Sequence, residues 1–80
     1  MNEKERATAY NKRLREIREE HDIPQRAVAA YLHVVQRTYS DYESGRIRIP
    51  LDCMILLAKY YDVSMDYLSG LTTEKGHFPG

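Results

Sequence analysis

Apolar residues recur at helical spacing near the start of the chain. Tyr10, Leu14 and Ile17 lie four and then three positions apart, and lysine, arginine and glutamate fill most of the positions between them. This pattern predicts a first helix over roughly residues 8–21. No part of the sequence shows the pattern of a strand, so we expect an all-α protein.

Two short helices with a tight turn between them are predicted next. The first covers residues 25–32 (QRAVAAYL), because Pro24 is tolerated at a helix start, where its missing N–H is not needed. The second covers residues 36–43 and ends at Gly45, since glycine readily takes the left-handed conformation of a helix C-terminus. Two helices joined in this way form a helix-turn-helix arrangement, whose second helix has the size to enter a DNA major groove.

The remaining part is predicted to hold an extended loop and two more helices. The loop is RIRIP at residues 46–50, because the residue before a proline avoids the helical region. A fourth helix is predicted over residues 51–61, and a brief fifth helix over residues 65–69 begins after Ser64 as N-cap and ends at Gly70. The inward face of the fourth helix is expected to contain Leu51, Met54, Ile55, Ala58 and Tyr61.

These elements predict one small domain at residues 10–71. Residues 1–9 are expected to form an N-terminal extension, and residues 72–80 (TTEKGHFPG) a disordered tail. A chain of 80 residues buries only roughly 60 to 65% of the surface that its unfolded form exposes, so the core must be compact.

Charge gives only weak support for a nucleic-acid-binding protein, and cysteine content bears on the cellular compartment. Twelve lysines and arginines balance twelve aspartates and glutamates, but residues 1–50 carry ten basic against eight acidic side chains. The single Cys53 cannot form an internal disulfide, no apolar run approaches the length of a membrane span, and the opening residues lack a signal peptide. These features predict a cytosolic protein.

Catalysis and metal binding are not expected. His21, His33, Cys53 and His77 lack the spacing of a metal-ligand set. The sequence also lacks an activated nucleophile, a phosphate-cradling glycine loop and paired catalytic carboxylates. We therefore expect no enzyme activity and no cofactor.

Several short motifs resemble a known family in their order and spacing. They are Val28-Ala29 in the second helix, Val34 in the turn, Tyr42-Glu43-Ser44-Gly45, Pro50, and DVSMDYLSG at residues 62–70. Together they resemble the Cro/C1-type (XRE-like) helix-turn-helix DNA-binding family over the segment from Leu14 to Leu71. The resemblance implies a compact, five-helix, lambda-repressor-like domain. It also implies a sequence-specific DNA-binding transcriptional regulator, a small repressor that reads the major groove with its third helix.

One side of the third helix is predicted to read DNA bases. Tyr39 and Tyr42 turn toward the core, since they are three residues apart. The polar residues left outside are Gln36, Arg37, Ser40 and Asp41. By the resemblance, Gln36, Arg37 and Asp41 fall on base-contacting positions. Arginine offers a bidentate contact to guanine, glutamine offers one to adenine, and a carboxylate can accept from cytosine N4.

Other positions are expected to contact the DNA backbone or to support the fold. The expected backbone contacts are Gln25, Thr38, Ser44, Gly45 and Arg46. Gln25 is also expected to brace Gln36, and the amides around Ser44 and Gly45 are expected to point at phosphate. The resemblance further implies a buried ion pair between Arg18 of the first helix and Glu43 of the third.

Two positions depart from the family pattern. His33 occupies a turn position where the family often has glycine or asparagine, although histidine moderately tolerates a positive φ. Val35 replaces the serine or threonine that would cap the third helix, which costs about 1 kcal/mol. We therefore expect weaker DNA binding than is typical of the family.

Less specific interpretations stay open at this point. The polar side of the third helix also has the composition of an ordinary solvated face, and Asp41 could instead hold Arg37, four residues earlier. Zero net charge, Val35 and the abundance of tyrosines suit a protein-interaction or antitoxin-like module that keeps the fold without reading DNA. A steep fall of DNA affinity with salt would separate DNA binding from that alternative.

The expected partner is a double-stranded DNA operator in the cytoplasm of a bacterium, for a bacterial or phage-encoded protein, with no membrane and no small-molecule substrate. Most such proteins act as two-fold dimers on half-sites about one DNA turn apart, so a homodimer is expected. The N-terminal extension is one candidate dimer surface. The others are apolar residues that exceed the needs of a small core, unless they complete it: Leu56, Tyr60, Tyr67, Leu68 and Leu71.

Overall fold

The chain folds into helices joined by short turns. The computed structural model describes the backbone of residues 3–79 and the side chains of residues 10–79. This part of the chain contains five α-helices and no strand: α1 (Glu3–Glu20), α2 (Gln25–Leu32), α3 (Gln36–Ser44), α4 (Leu51–Tyr61) and α5 (Met65–Leu68). The predicted all-α, five-helix architecture is confirmed.

Prolines precede two of the helices, and a serine caps a third. Pro24 and Pro50 take extended conformations immediately before α2 and α4, as their fixed φ and missing N–H favour. The Ser64 hydroxyl caps α5 by accepting a hydrogen bond from the Tyr67 N–H at 3.0 Å. The start of α1 differs from the prediction, because its backbone is helical from Glu3 and includes most of the expected extension.

Residues in the left-handed region end four of the helices. Asp22 follows α1, His33 ends α2, Gly45 ends α3 and Asp62 ends α4, with φ between 53° and 79°. This conformation lets the chain turn sharply while its N–H groups bond back to the last helical turn. Gly45 is the only one of the four without a Cβ, so the other three turns carry backbone strain.

The core lies between α1 and the four helices that follow it. α1 contributes Leu14 and Ile17, both fully buried, and α2 contributes Val28, Ala29 and Leu32. The rest of the core comes from later elements: Tyr39, Tyr42, Cys53, Met54, Leu57, Ala58, Tyr61, Val63, Tyr67 and Leu68. α3 packs against both α1 and α2, and α5 packs against α1 and α4.

The buried face of α4 differs from the predicted one. Leu51 is 69% exposed and Ile55 is 40% exposed, although both were expected to face inward. Cys53 and Leu57 are buried instead, alongside the correctly predicted Met54, Ala58 and Tyr61. The error has a physical cause, because apolar residues surround most of α4 and periodicity alone does not choose between neighbouring stripes.

Part of the expected dimer surface belongs to the core. Tyr67 is 6% exposed and Leu68 is fully buried, because α5 packs against α1 and α4. The Arg13 guanidinium covers the Tyr67 ring at 4.0 Å from its centroid and donates to the Tyr67 and Thr72 carbonyls. Leu56, Tyr60 and Leu71 of the same set remain exposed.

Residues 72–79 follow a defined path along the ends of α1 and α4, which differs from the disordered tail expected from the sequence. The Ser64 N–H donates to the Lys75 carbonyl at 2.8 Å, and the Phe78 N–H donates to the Asp62 carboxylate at 3.1 Å. Phe78 packs against the core, which gives this polar segment an apolar anchor. Lys75 adds an exposed ion pair to Glu20, and the His77 ring lies in hydrogen-bonding contact with the Asp62 carboxylate at 3.0 Å.

None of the helices in the described part of the chain is both long enough and apolar enough to cross a membrane.

Candidate nucleic-acid interface

The turn between α2 and α3 sets the position of α3. His33 takes φ 59° and ψ 39°, and the Val34 N–H donates to the Ala29 carbonyl at 3.0 Å. Val35 is the N-cap of α3 in an extended conformation, and its side chain makes no capping hydrogen bond. The turn therefore forms without glycine and without the serine or threonine cap, as the two departures from the family pattern require.

One side of α3 is buried and the other faces solvent. Tyr39 is fully buried and Tyr42 is 6% exposed, and their rings meet edge to face at 6.3 Å. Gln36 and Arg37 are exposed, and Arg37 has 76% of its side chain in solvent. Three further residues with expected DNA contacts are partly exposed: Thr38, Ser40 and Asp41.

The loop after α3 brings Arg46 back beside this face. Gly45 reverses the chain with φ 79°, and the Arg46 N–H donates to the Asp41 carbonyl at 2.9 Å. The Asp41 carboxylate then lies 3.6 Å from Arg37 Nε and 4.0 Å from Arg46 Nε. Asp41 therefore faces two arginines of its own chain.

The backbone amides at the end of α3 have partners within the protein. The Gly45 N–H donates to the Tyr42 carbonyl at 3.3 Å, and the Ile47 N–H donates to the Asp41 carbonyl at 3.3 Å. The Ser44 hydroxyl also donates to the Asp41 carbonyl, at 3.2 Å. The structure thus places Ser44 and Gly45 on the surface, but it does not present a free Gly45 amide for phosphate.

A buried carboxylate ties α1, α2 and α3 together. Glu43 has no exposed side-chain surface, and it accepts hydrogen bonds from Arg18 Nε at 2.6 Å and from Arg18 Nη2 at 3.1 Å. The Tyr39 hydroxyl and the Gln25 amide donate to the same carboxylate. The structure therefore contains the Arg18–Glu43 pair, and Gln25 braces Glu43 rather than Gln36.

A family model described as Helix-turn-helix matches residues 14–68, which span the last two turns of α1 and all of α2 to α5. The chain belongs to this helix-turn-helix family. The match confirms the family resemblance drawn from the motifs, and it includes the α2–α3 unit.

The helix-turn-helix chain is also similar to a bacterial protein. A protein of Bacillus subtilis (strain 168) named as an uncharacterized HTH-type transcriptional regulator, YobD, is 37% identical over 65 residues. The alignment covers 81% of this chain and 58% of that protein, so the chain spans little more than half of the relative's length. No solved structure shows a significant match to the chain.

The Glu43 cluster of this helix-turn-helix protein shifts the pKa values of its members. Burial alone would raise the pKa of Glu43, but hydrogen bonds from Arg18, Tyr39 and Gln25 outweigh burial, and the pKa lies below its ordinary value. The hydrogen bond to Glu43 raises the pKa of Arg18. Burial and the hydrogen bond to Glu43 raise the pKa of Tyr39, which keeps its hydroxyl a donor at neutral pH. The charge state of the cluster is therefore fixed around pH 7.

Several supporting residues were not predicted from the sequence. Arg15 Nε lies 3.6 Å from Glu43 at the edge of the cluster, and the Tyr39 hydroxyl points into it. The spacing of Tyr39 and Glu43, four apart on a helix, could have indicated their contact. Asn11 had no such signal: its amide lies so close to Gly45 that a Cβ there would come within 2.1 Å of it.

The described residues give little support for metal binding or for a reactive thiol. Among the side chains that the structure describes, no group of three or more histidines, cysteines, aspartates and glutamates is placed to hold a metal ion. Cys53 is buried, and burial raises the pKa of its thiol, which disfavours the reactive thiolate.

Proposed function

We propose that this chain is a sequence-specific, double-stranded-DNA-binding transcriptional regulator, a small repressor that places α3 in the major groove. The observation that carries the proposal is the division of α3 into two faces. Tyr39, Tyr42 and Glu43 anchor one face in the core, while Gln36 and Arg37 leave the other in solvent near the start of the helix. The residues that begin a recognition helix are those that contact base edges in this class of protein.

The proposal gives different tasks to the exposed residues. Arg37 supplies a donor pair for guanine O6 and N7, and Gln36 supplies a donor and an acceptor for adenine N6 and N7. Ser40 and Asp41 lie one turn further along α3, where they are only partly exposed. Ser40 has a hydroxyl that can contact several bases. The Asp41 carboxylate has the chemistry to accept from cytosine N4, but it lies between Arg37 and Arg46 of its own chain.

Backbone contacts would fix the register of the complex. Arg46 has 69% of its side chain in solvent beside the end of α3, so it can reach a phosphate. Thr38, Ser44 and Gly45 flank the same face. Gln25 starts α2 and holds Glu43, so its proposed role is to position the helix start near the DNA backbone.

We further propose a homodimer on two half-sites. The candidate surface, which we call the α4 patch, consists of Tyr31, Leu56 and Tyr60. The Tyr31 and Tyr60 rings stack at 4.4 Å, and both Leu56 and Tyr60 are more than one third exposed. Two recognition helices must lie about 34 Å apart to enter successive turns of the major groove. Because the proposed target is genomic DNA, the proposed site of action is the bacterial cytoplasm.

The decisive experiment is selection of bound duplexes from a random pool, followed by a salt series on the recovered sequence. We expect an enriched inverted repeat and an affinity that falls steeply with salt, since several phosphate contacts release counterions. If no duplex is enriched, and the affinity of the chain for random duplex DNA does not change with salt, the chain would instead be a helix-turn-helix interaction module.

Two arginine variants separate base reading from phosphate contact in that experiment. Arg37→Ala should cost about 1 to 3 kcal/mol on the selected duplex and relax the preference at one base. Arg46→Ala should weaken all sequences evenly and reduce the salt slope by about one. An Arg37→Ala variant that lost affinity equally on every sequence would make Arg37 a phosphate ligand instead.

A further inference from the structure

Asp41 sits between two exposed arginines at the end of the exposed α3 face. Its side chain is 18% exposed, whereas those of Arg37 and Arg46 are 76% and 69% exposed. The closest approaches are 3.6 Å to Arg37 Nε and 4.0 Å to Arg46 Nε, and both reach the same carboxylate oxygen, Oδ1. One carboxylate therefore serves two cations that otherwise face solvent.

The course of the backbone brings these three residues together. Arg37 comes from the preceding turn of α3, four residues before Asp41. Arg46 arrives from the other side, because Gly45 reverses the chain and the Arg46 N–H donates to the Asp41 carbonyl at 2.9 Å. The cluster thus depends on the course of the loop as well as on helical spacing.

We propose that Asp41 is a specificity-determining residue that competes with DNA phosphate for Arg37 and Arg46. This inference rests on the proposed DNA binding and deepens it. With Asp41 ionised, the three side chains present one net positive charge instead of two, and the carboxylate itself repels phosphate. Both effects weaken binding to any duplex, whatever its sequence.

A cognate base can overcome this competition in a way that a phosphate cannot. Exposed arginine–carboxylate pairs are weak, so Arg37 exchanges Asp41 for another acceptor at little cost. Guanine offers two acceptors in the plane of the guanidinium and no negative charge for Asp41 to repel. A phosphate on non-cognate DNA brings such a charge. Asp41 therefore penalises non-cognate binding more than cognate binding.

The test compares Asp41→Asn with the wild-type chain on two duplexes, the selected one and one of random sequence. We expect the variant to bind the random duplex roughly three-fold to ten-fold more tightly, with a salt slope steeper by up to about one. Affinity for the selected duplex should rise less, so the ratio of the two affinities should fall. Asp41→Ser should behave in the same way if Asp41→Asn folds poorly.

The matched control is Asp66→Asn, which changes the formal charge equally. Asp66 is an exposed residue of α5, and α5 packs against α1 and α4. This control should leave the affinity ratio unchanged if the effect belongs to the Asp41 cluster. An equal change in both variants would reduce the effect to net charge and overturn the inference.

A measurement without DNA tests the contact itself. In NMR spectra, the Nε–Hε signals of Arg37 and Arg46 should shift between the wild type and Asp41→Asn, while the signal of the exposed Arg48 should stay in place. Unshifted Arg37 and Arg46 signals would overturn the inference.

The remaining outcomes are also distinct. If Asp41→Asn leaves the affinity for the random duplex unchanged, the inference is overturned. If it loses preference at a single base, Asp41 is a base-reading residue and the inference is again overturned. Neither result contradicts the proposed function. A wild-type chain that binds no duplex overturns the proposed function and this inference with it.

Discussion

At the scale of single residues, Glu43 is the most demanding position in the molecule. A buried carboxylate is costly unless it is paired and its lone pairs are satisfied. Glu43 meets that requirement through donors from three helices: Arg18 on α1, Gln25 on α2 and Tyr39 on α3. The same contacts hold the buried face of α3 against α1 and α2. The stability of the core and the placement of the proposed interface therefore depend on one side chain.

Replacing this carboxylate should be far more damaging than replacing an exposed one. Glu43→Gln leaves Arg18 without its charged partner in a site where that arginine is only 14% exposed, and we expect a loss of about 3 kcal/mol in the free energy of unfolding. Glu16→Gln is the matched control, since Glu16 pairs with Arg13 at 3.5 Å but is 59% exposed. Its loss should stay below about 1 kcal/mol in the same urea titration. Similar losses in the two variants would contradict the role given to Glu43.

The lowered pKa of Glu43 makes stability depend on pH in one direction. Because the folded chain holds this group ionised below the unfolded pKa of about 4.3, its contribution is present above that pH and is lost as pH falls through the folded pKa. We expect urea midpoints to fall steadily below about pH 4 and to fall less in Glu43→Gln.

Asp62 also contributes to acid sensitivity, since the hydrogen bond with His77 lowers its pKa. Asp62 is present in both the wild type and Glu43→Gln. The difference between their two curves of urea midpoint against pH therefore isolates Glu43. Parallel curves would show that Glu43 titrates alike in the folded and unfolded chains.

Some contacts of the Glu43 cluster can be predicted from the sequence and others cannot. The pairing of Arg18 with Glu43 could be predicted, because a recognised family pattern links these positions. The contact of Gln25 with Glu43 was not, because it depends on how closely the start of α2 approaches the end of α3. For the same reason, the position of Arg46 beside Asp41 required the path of the chain through Gly45.

At the scale of elements, three helix starts lack a side-chain cap. Pro24, Val35 and Pro50 precede α2, α3 and α4, and none makes a capping hydrogen bond. Proline fixes an extended backbone and so compensates in part at two of these starts. Val35 offers no such compensation, and its side chain is 69% exposed.

Supplying the missing cap should stabilise the protein. Val35→Thr keeps the branched shape and adds an oxygen that can accept from the first free amides of α3, so we expect a gain of about 0.5 to 1 kcal/mol in the free energy of unfolding. Val35→Ala adds no acceptor and should change that free energy by less than about 0.5 kcal/mol. Chemical denaturation of both variants measures the difference, and equal effects would show that capping is not the limiting feature.

Local signals predicted the elements better than their orientation. The starts of α2 and α4 followed from Pro24 and Pro50, which act within one or two residues of their own position. The buried face of α4 did not follow, because Leu51 and Ile55 are as apolar as the residues that are buried. The packing of α4 against α5 and the rest of the core decides which stripe is covered.

At the scale of the whole molecule, the family relationship sets the expected assembly but not its surface. The match over residues 14–68 covers the described core and the exposed face of α3 together. Burial of Tyr67 and Leu68 removes them from the candidate dimer residues. Leu56, Tyr60 and Leu71 of that set remain exposed, and the first two belong to the α4 patch.

A charge placed in this patch should dissociate the proposed dimer. Tyr60 is 38% exposed, so Tyr60→Glu can be accommodated by the fold while opposing apolar contact with a second copy. We expect a lower sedimentation coefficient at concentrations where the wild type is dimeric, with an unchanged helical circular dichroism signal. Leu51→Glu is the control, since Leu51 is an exposed apolar residue of α4 outside the patch. Dissociation by Leu51→Glu and not by Tyr60→Glu would place the dimer surface elsewhere.

The left-handed turns at Asp22, His33 and Asp62 bear on how this fold can change over time. A non-glycine residue in that region costs roughly 1 kcal/mol of local strain, and here it does so at three separate places. Glycine takes this conformation without the steric cost of a Cβ, so the exposed turns at Asp22 and His33 each have a substitution that would relax them without disturbing the core. The protein therefore has routes to greater thermal tolerance that leave the face of α3 untouched, and a lineage could follow them without altering the proposed DNA-binding surface.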